Sequence, residues 1–225
     1  RGLGDVYKRQ REYAVDKKGG VHNIGNPFPE SLTVLMPKPM KWLTDRMGYK
    51  QKKTDQIKNQ YATALPIGTA IAQSFNVGFA EQCGRVVGEE MKLFGVHLWL
   101  APALNIHRSI RCGRNFEYFS EDPLLSGMMA GYITRGVQSF DGCGTTIKHY
   151  ACNNQETNRI QNSSVLSERA AREIYLKGFG IAIRIGQPKA VMTSYNLING
   201  VHTSEHSGLI EDIPVSYTHL TLPTN

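Results

Sequence analysis

Three short β-prone runs recur along the chain, VHLWLAP at Val96–Pro102, TTIK at Thr145–Lys148 and AVMT at Ala190–Thr193, and the gaps between them suit one helix each. Asn76 offers an N-cap to a helix running to Phe94 and stopping at Gly95, with Val86, Val87, Met91 and Phe94 on one face. Pro123 suits the first turn of the next helix, which carries Leu124, Met128, Tyr132 and Val137 to about Phe140. Ser167 and Glu168 open a third, reaching about Ile185 before Pro188, and Ser204 is placed to cap a fourth. Strand and helix thus alternate, which predicts an α/β chain with a parallel sheet. The expected architecture is a partial (β/α)8 TIM-like barrel, incomplete at both ends, with an open doubly wound sheet as the alternative. Ahead of this, Arg11 to Tyr61 reads as a long irregular insertion punctuated by Pro27, Pro29, Pro37 and Pro39, with at most a short helix around Lys41 to Met47.

Each strand runs directly into a segment crowded with polar side chains. After Thr145–Lys148 comes His149 and then an Asn- and Gln-rich run to Glu156 and Arg159; such side chains leave the sheet for a loop and bring both donors and acceptors. GRNFEYFSEDP, Gly113–Pro123, presents the planar fork of Arg114 beside Glu117, Glu121 and Asp122. For Glu121 and Asp122, helix capping before Pro123 explains the residues as well as catalysis does. AVMTSYNLINGV, Ala190–Val201, places Tyr195 at a strand end, where its hydroxyl can donate to an anion and its ring can face a sugar. In a parallel fold the loops after the strands share one face, so His107, Arg114, Lys148, His149, Arg159 and Tyr195 should converge. No phosphate-cradling glycine run is present, so the ligand expected is rich in hydroxyls or carboxylates. A solvated loop of chance polar content is the plainer alternative for the Thr145–Arg159 stretch.

The ends stand apart from this pattern. DVYKRQ, Asp5–Gln10, back-translates as GAT GTG TAT AAG AGA CAG, whose reverse complement read in another frame gives VSYTH, Val215–His219. Residues 1–10 and 214–225 are therefore read as non-native, adaptor-like segments flanking a partial barrel domain at residues 11–213. Arg1, Lys8 and Arg9 against Asp5 account for two of the seven net positive charges. Much of the remainder lies between Lys38 and Lys58, where no nucleic-acid motif accompanies it, so a solvated face is expected and no nucleic-acid partner. No run is long and apolar enough to suggest a membrane span. Cys83, Cys112, Cys143 and Cys152 form no CxxC pair and no metal-ligand spacing, so neither metal nor cofactor is expected. Cys83 reads as core, Cys112 and Cys152 as lining the site, and scattered thiols favour a reducing, cytoplasmic setting.

ALPIGTAIAQSFN, LAPALNIHR, GRNFEYFSEDP, KHYACNNQETNR and MTSYNLINGV together resemble, in order and spacing, glycoside hydrolase family 3 in its β-glucosidase branch, over Ala62 to Ile213. The resemblance implies the barrel of a retaining exo-β-glycosidase acting on a small β-glucoside or oligosaccharide, with a β-xylosidase of the same family as an alternative. It places the sugar-binding positions on Arg114, Lys148, His149, Arg159, Met192 and Tyr195, with Asn105, His107, Glu117 and Glu156 in support. It also puts the nucleophilic Asp beyond Ile213 and the general acid in a C-terminal domain of the same chain, so this stretch is expected to hold a sugar without cleaving it. Ser109-Ile110-Arg111 departs from the family's commoner Pro-containing loop, and Asn153-Asn154-Gln155 stands where the N-acetylglucosaminidase branch has Gly-His-Gly. Outside the glycosidases, a non-catalytic sugar-binding barrel and a phosphate-handling barrel are the other two classes open to the same residues.

Overall fold

The structure, a computed structural model, describes residues 10–15, 21–23 and 56–212, in two compact units that meet in the chain at Ala64 and Leu65. In the first unit β1 (Gln10–Val15) pairs antiparallel with β2 (Val21–Asn23) and with β3 (Gln56–Tyr61), in the order β2-β1-β3. Over these described residues strands replace the expected irregular insertion; the remainder of that stretch lies outside the described residues. The β1–β3 ladder runs from Gln10 opposite Tyr61 to Val15 opposite Gln56, and a pairing so distant in sequence leaves little mark on local propensity. It also draws in Gln10, the last residue of the segment read as foreign. The helix expected around Lys41 to Met47 lies outside the described residues.

The second unit alternates as the sequence predicts. After a short helix α1 (Gly68–Gln73), helix α2 (Val77–Phe94) starts where the Asn76 side chain accepts from Phe79 N and ends at Gly95 in the left-handed conformation, φ 65°. Then come β4 (Leu98–Trp99) and α3 (Pro123–Gln138), whose N-cap Asp122 accepts from Leu124 N and whose N1 residue is proline. Next are β5 (Gly144–Tyr150) and β6 (Ser163–Ser164). Helix α4 (Glu168–Ala170) is capped by Ser167 and passes through a π-helical turn, Ala171–Tyr175, into α5 (Lys177–Gly186). The remaining strands are β7 (Ala190–Thr193), β8 (Leu197–Ile198) and β9 (Val201–His202). Strands β4, β5 and β7 form one parallel sheet in chain order, with Trp99 opposite Thr145 and Lys148 opposite Met192.

The core lies between this sheet and helices α2, α3 and α5, built on Ile71, Met91, Leu104, Met129, Val137, Ile147 and Phe179. The Phe179 ring meets Tyr150 edge-on, centroids 5.1 Å apart. Glycine sets how closely the helices approach: a Cβ at Gly84 would stand 2.2 Å from Ile133 O, and one at Gly136 2.2 Å from Glu81 O. Gln138, at the end of α3, donates to Gly186 O and Gln187 O, while its Oε1 accepts from Thr145 N and Lys189 N. One amide thereby ties a helix end to the start of a strand and to the entry of the next.

Three expectations are revised. The run at Val96–Pro102 is a strand only over two residues, and Leu98 and Leu100 are exposed, because β4 is an edge among the described strands. The loop expected at Ser194 to Thr203 contains the β8–β9 hairpin, which also pairs with β6; Asn199 and Gly200, both at positive φ, make its turn. The last helical turn, Gly208–Asp212, is entered through His206, whose Nδ1 accepts from Leu209 N, and not through Ser204.

Candidate functional site

The polar segments after β4, β5 and β7 do converge. After β4 the chain folds back over itself, with His107 N donating to Ser120 O and His107 Nε2 2.9 Å from Asn115 O. Tyr118, fully buried, is the pillar of this loop; it packs with Ala103 and Cys112, and its hydroxyl reaches across to Asn153 in the loop after β5. Asn153 Nδ2 donates both to the Tyr118 oxygen, at 2.9 Å, and to Glu156 Oε1, at 3.0 Å. Burial drives the Tyr118 phenol far above its ordinary pKa, so it stays a neutral donor.

Glu156 stands at the centre of the cations. Its Oε2 accepts from Arg159 Nη1 at 2.8 Å, and its Oε1 lies 3.8 Å from Arg114 Nε. Arg114 is also paired with Glu117, three residues on. The Arg159 guanidinium stacks over the Tyr195 ring, 4.8 Å from its centroid. Tyr195 is 59% exposed, yet it is fixed by neighbours that are not, since Ser194 is 6% and Asn196 1% exposed. Ser194 Oγ and Asn196 Nδ2 both donate to Ala151 O, so the phenol is presented outward from an anchored backbone.

Lys148 and His149 occupy the floor. Asn105 holds His149 on three sides, accepting from His149 N at 2.9 Å, donating to His149 O at 2.8 Å and facing ring Nδ1 at 3.4 Å. Because the amide oxygen can only accept, Nδ1 carries the proton and the second ring nitrogen is left as an acceptor. Burial, reinforced by Arg114, Lys148 and Arg159, lowers the His149 pKa to about 3. Lys148 is half-buried, and among the described residues its ammonium has no hydrogen-bond or ion-pair partner. Burial lowers its pKa, with Glu117 opposing and Arg114 adding to the shift. Met192 is half-buried beside it, opposite Lys148 in the β5–β7 register.

A folded-state pKa of about 3 against an ordinary 6.5 gives the His149 shift a definite sign in stability. The unfolded chain binds a proton at this residue that the folded chain refuses, so its contribution is full above about pH 6.5 and falls as pH drops towards 3. His149→Asn is expected to flatten the stability–pH curve between those limits. Urea midpoints at pH 7 and pH 4.5 check it; an unchanged slope would show that the ring is not held neutral.

Of the six residues singled out for ligand contact, Lys148, His149 and Met192 therefore lie near the C-terminal ends of β5 and β7, and Arg114, Arg159 and Tyr195 in the loops that follow β4, β5 and β7. Cys112 and Cys152 do not line the site. Both are buried, Cys112 against Ala103 and Tyr118, and Cys152 in a separate cavity of about 310 Å³ beneath Leu166 and Ile198, where burial raises its thiol pKa to about 12. Among the described residues there is no cluster of His, Cys, Asp and Glu able to hold a metal ion, and no helix long and apolar enough to cross a membrane. Nothing local in the sequence marks Tyr118 and Asn153 as a relay between the two loops. What the assembled site offers is a set of charged and neutral donors beside the ring of Tyr195.

The family described as "Glycosyl hydrolase family 3 N terminal domain" matches residues 38–214. The beta-glucosidase A of Butyrivibrio fibrisolvens is 46% identical over 151 residues, which are 67% of this chain and 18% of that protein. Among solved structures, beta-glucosidase 3B from Thermotoga neapolitana in complex with glucose superposes with a TM-score of 0.70 at 45% identity, over 75% of this chain and 23% of that one. The beta-glucosidase from Kluyveromyces marxianus in complex with glucose gives a TM-score of 0.66 at 38% identity, over 68% of this chain and 18% of that one. The chain thus spans about a fifth of the length of the relatives it matches.

Proposed function

Because the chain belongs to glycosyl hydrolase family 3, whose N-terminal domain description covers residues 38–214, we propose that it is the sugar-holding part of a retaining exo-β-glucosidase. In this reading Arg114, Lys148, His149, Arg159, Met192 and Tyr195 receive the terminal glucosyl unit of a β-glucoside or oligosaccharide. The observation that carries it is the meeting at Glu156 of guanidiniums from two different loops, with Lys148 and His149 within their electrostatic reach. Donors fixed in this way bind hydroxyls without first being ordered, and such bonds can strengthen as the ring distorts and positive charge develops. Solved relatives whose descriptions name glucose complexes support the choice of sugar.

Cleavage with retention needs two carboxyl groups about 5–5.5 Å apart, one as nucleophile and one as acid. Among the described residues, the carboxylates beside these donors, Glu117 and Glu156, are each engaged by arginine and are assigned to positioning. The nucleophile and the acid are assigned to parts of the longer protein outside residues 62–213. The order β4-β5-β7 steps the same way at each crossover, which supports a partial (β/α)8 barrel over an open sheet reversing at a switch point. Titration of the chain with glucose, followed by amide NMR, is expected to give saturable shifts at Asn153, Arg159 and Tyr195 with millimolar affinity. Absence of saturable shifts at those residues would remove the reading.

A further inference from the structure

We propose that Glu156 is a positioning residue that fixes Arg159 in its sugar-binding orientation and couples it to the loop after β4. The assignment deepens the glucoside-binding reading above and rests on it for its functional consequence, but its structural part stands on geometry alone. The two arginines differ in how they are held. Arg114 has its own carboxylate, Glu117, and meets Glu156 only at 3.8 Å. Arg159 has one carboxylate partner among the described residues, Glu156 at 2.8 Å, and otherwise the face of Tyr195. A half-buried guanidinium on the stacked face of an exposed tyrosine keeps several rotamers open; one charge-assisted hydrogen bond at a fixed point selects among them.

That fixed point is itself braced. Glu156 Oε1 accepts from Asn153 Nδ2, and Asn153 is clamped on the fully buried Tyr118 by hydrogen bonds in both directions. The line Tyr118, Asn153, Glu156, Arg159, Tyr195 therefore runs without a break from the loop after β4, through the loop after β5, to the loop after β7. Electrostatics point the same way. Arg114, Lys148 and Arg159 all bear on His149, while Glu117 pairs with Arg114 and Glu156 with Arg159. Removing the Glu156 charge leaves Arg159 facing like charges with no described carboxylate and only the Tyr195 face to hold it, whereas Arg114 keeps Glu117.

The test uses the whole chain, Glu156→Gln and Glu156→Asp. In the unaltered chain the signal of the Arg159 Nη–H group that donates to Glu156 is expected to be sharp and slow to exchange. In Glu156→Gln it should broaden and exchange at least tenfold faster while that of Arg114 changes little, and Glu156→Asp should recover part of the protection. Unchanged Arg159 exchange in Glu156→Gln overturns the proposal, and so does equal loosening of both arginines, the signature of a loop that has merely come apart. Glucose titration is the second arm, in which Glu156→Gln should weaken binding about tenfold. If Arg159 is released and glucose affinity holds, the residue's role in ligand binding is overturned; if the unaltered chain binds no glucose, the glucoside reading fails while the exchange data still decide what holds Arg159.

Discussion

Gly136→Ala is expected to be among the most destabilising single-methyl changes this chain can suffer. A helix interior ordinarily favours alanine over glycine by roughly 0.8–1 kcal/mol, so propensity alone predicts a gain. The packing reverses it. The added carbon would lie 2.2 Å from Glu81 O and 2.9 Å from Arg85 N, and both are backbone atoms of α2 that cannot turn aside. Helices α2 and α3 would have to separate by about an ångström, opening the contacts around Val137 and Ile133 that belong to the same core. Overpacking of this kind costs about 1–3 kcal/mol and sometimes more; here the upper end applies because no side chain can give way. Set against the gain in helix propensity, the net loss of about 2 kcal/mol corresponds to a fall of roughly 4–8 °C in Tm for a chain of this size. Gly113→Ala is the control, since a Cβ there meets nothing within 4 Å. Thermal unfolding of the two variants side by side checks the prediction, and an equal Tm would mean that the helices do not approach through their glycines.

Lys148→Met should nearly abolish ligand binding and leave the fold intact. The ammonium sits half-buried without a described partner, and burial depresses its pKa, so keeping it charged costs the folded state. Replacing it with an apolar side chain of similar length removes that cost, and stability at pH 7 should hold or rise. What is lost is a charged donor to ligand oxygens, worth about 1.5–3 kcal/mol, or roughly 10- to 100-fold in affinity at about 1.4 kcal/mol per tenfold. The sign with pH follows: binding that needs the ammonium should fade on the alkaline side earlier than an ordinary lysine allows. The same variant separates the two ligand classes. If glucose binds the parent weakly and Lys148→Met not at all, the glucoside reading gains; if inorganic phosphate binds the parent tightly and the variant loses that instead, the site is an anion site. Affinity unchanged for both probes would remove Lys148 from the binding surface.

Much of the second unit was legible because its signals are local. Asn76 and Gly95 bracket α2 as capping chemistry demands, Pro123 opens α3, and Ser167 opens α4. The β-branched run at Thr145 becomes β5, and the polar residues after it leave the sheet. The sheet of the first unit was not legible, because the β1–β3 pairing joins segments some forty residues apart whose composition resembles a loop. The exposure of Leu98 and Leu100 was missed for a related reason: an apolar strand reads the same in the middle of a sheet as at its edge.

The functional residues divide in the same way. Their chemical types and the rule that loops after parallel strands share a face were enough to bring Arg114, Lys148, His149, Arg159 and Tyr195 together, since backbone topology depends on patterns that each segment carries in itself. Which carboxylate holds which guanidinium, that Asn105 fixes the His149 tautomer, that Tyr118 and Asn153 brace Glu156, and that the thiols of Cys112 and Cys152 turn away from the site were decided only in three dimensions. Those are matters of side-chain distance and dielectric, set by residues far apart in the chain, and no single stretch of the sequence contains both partners.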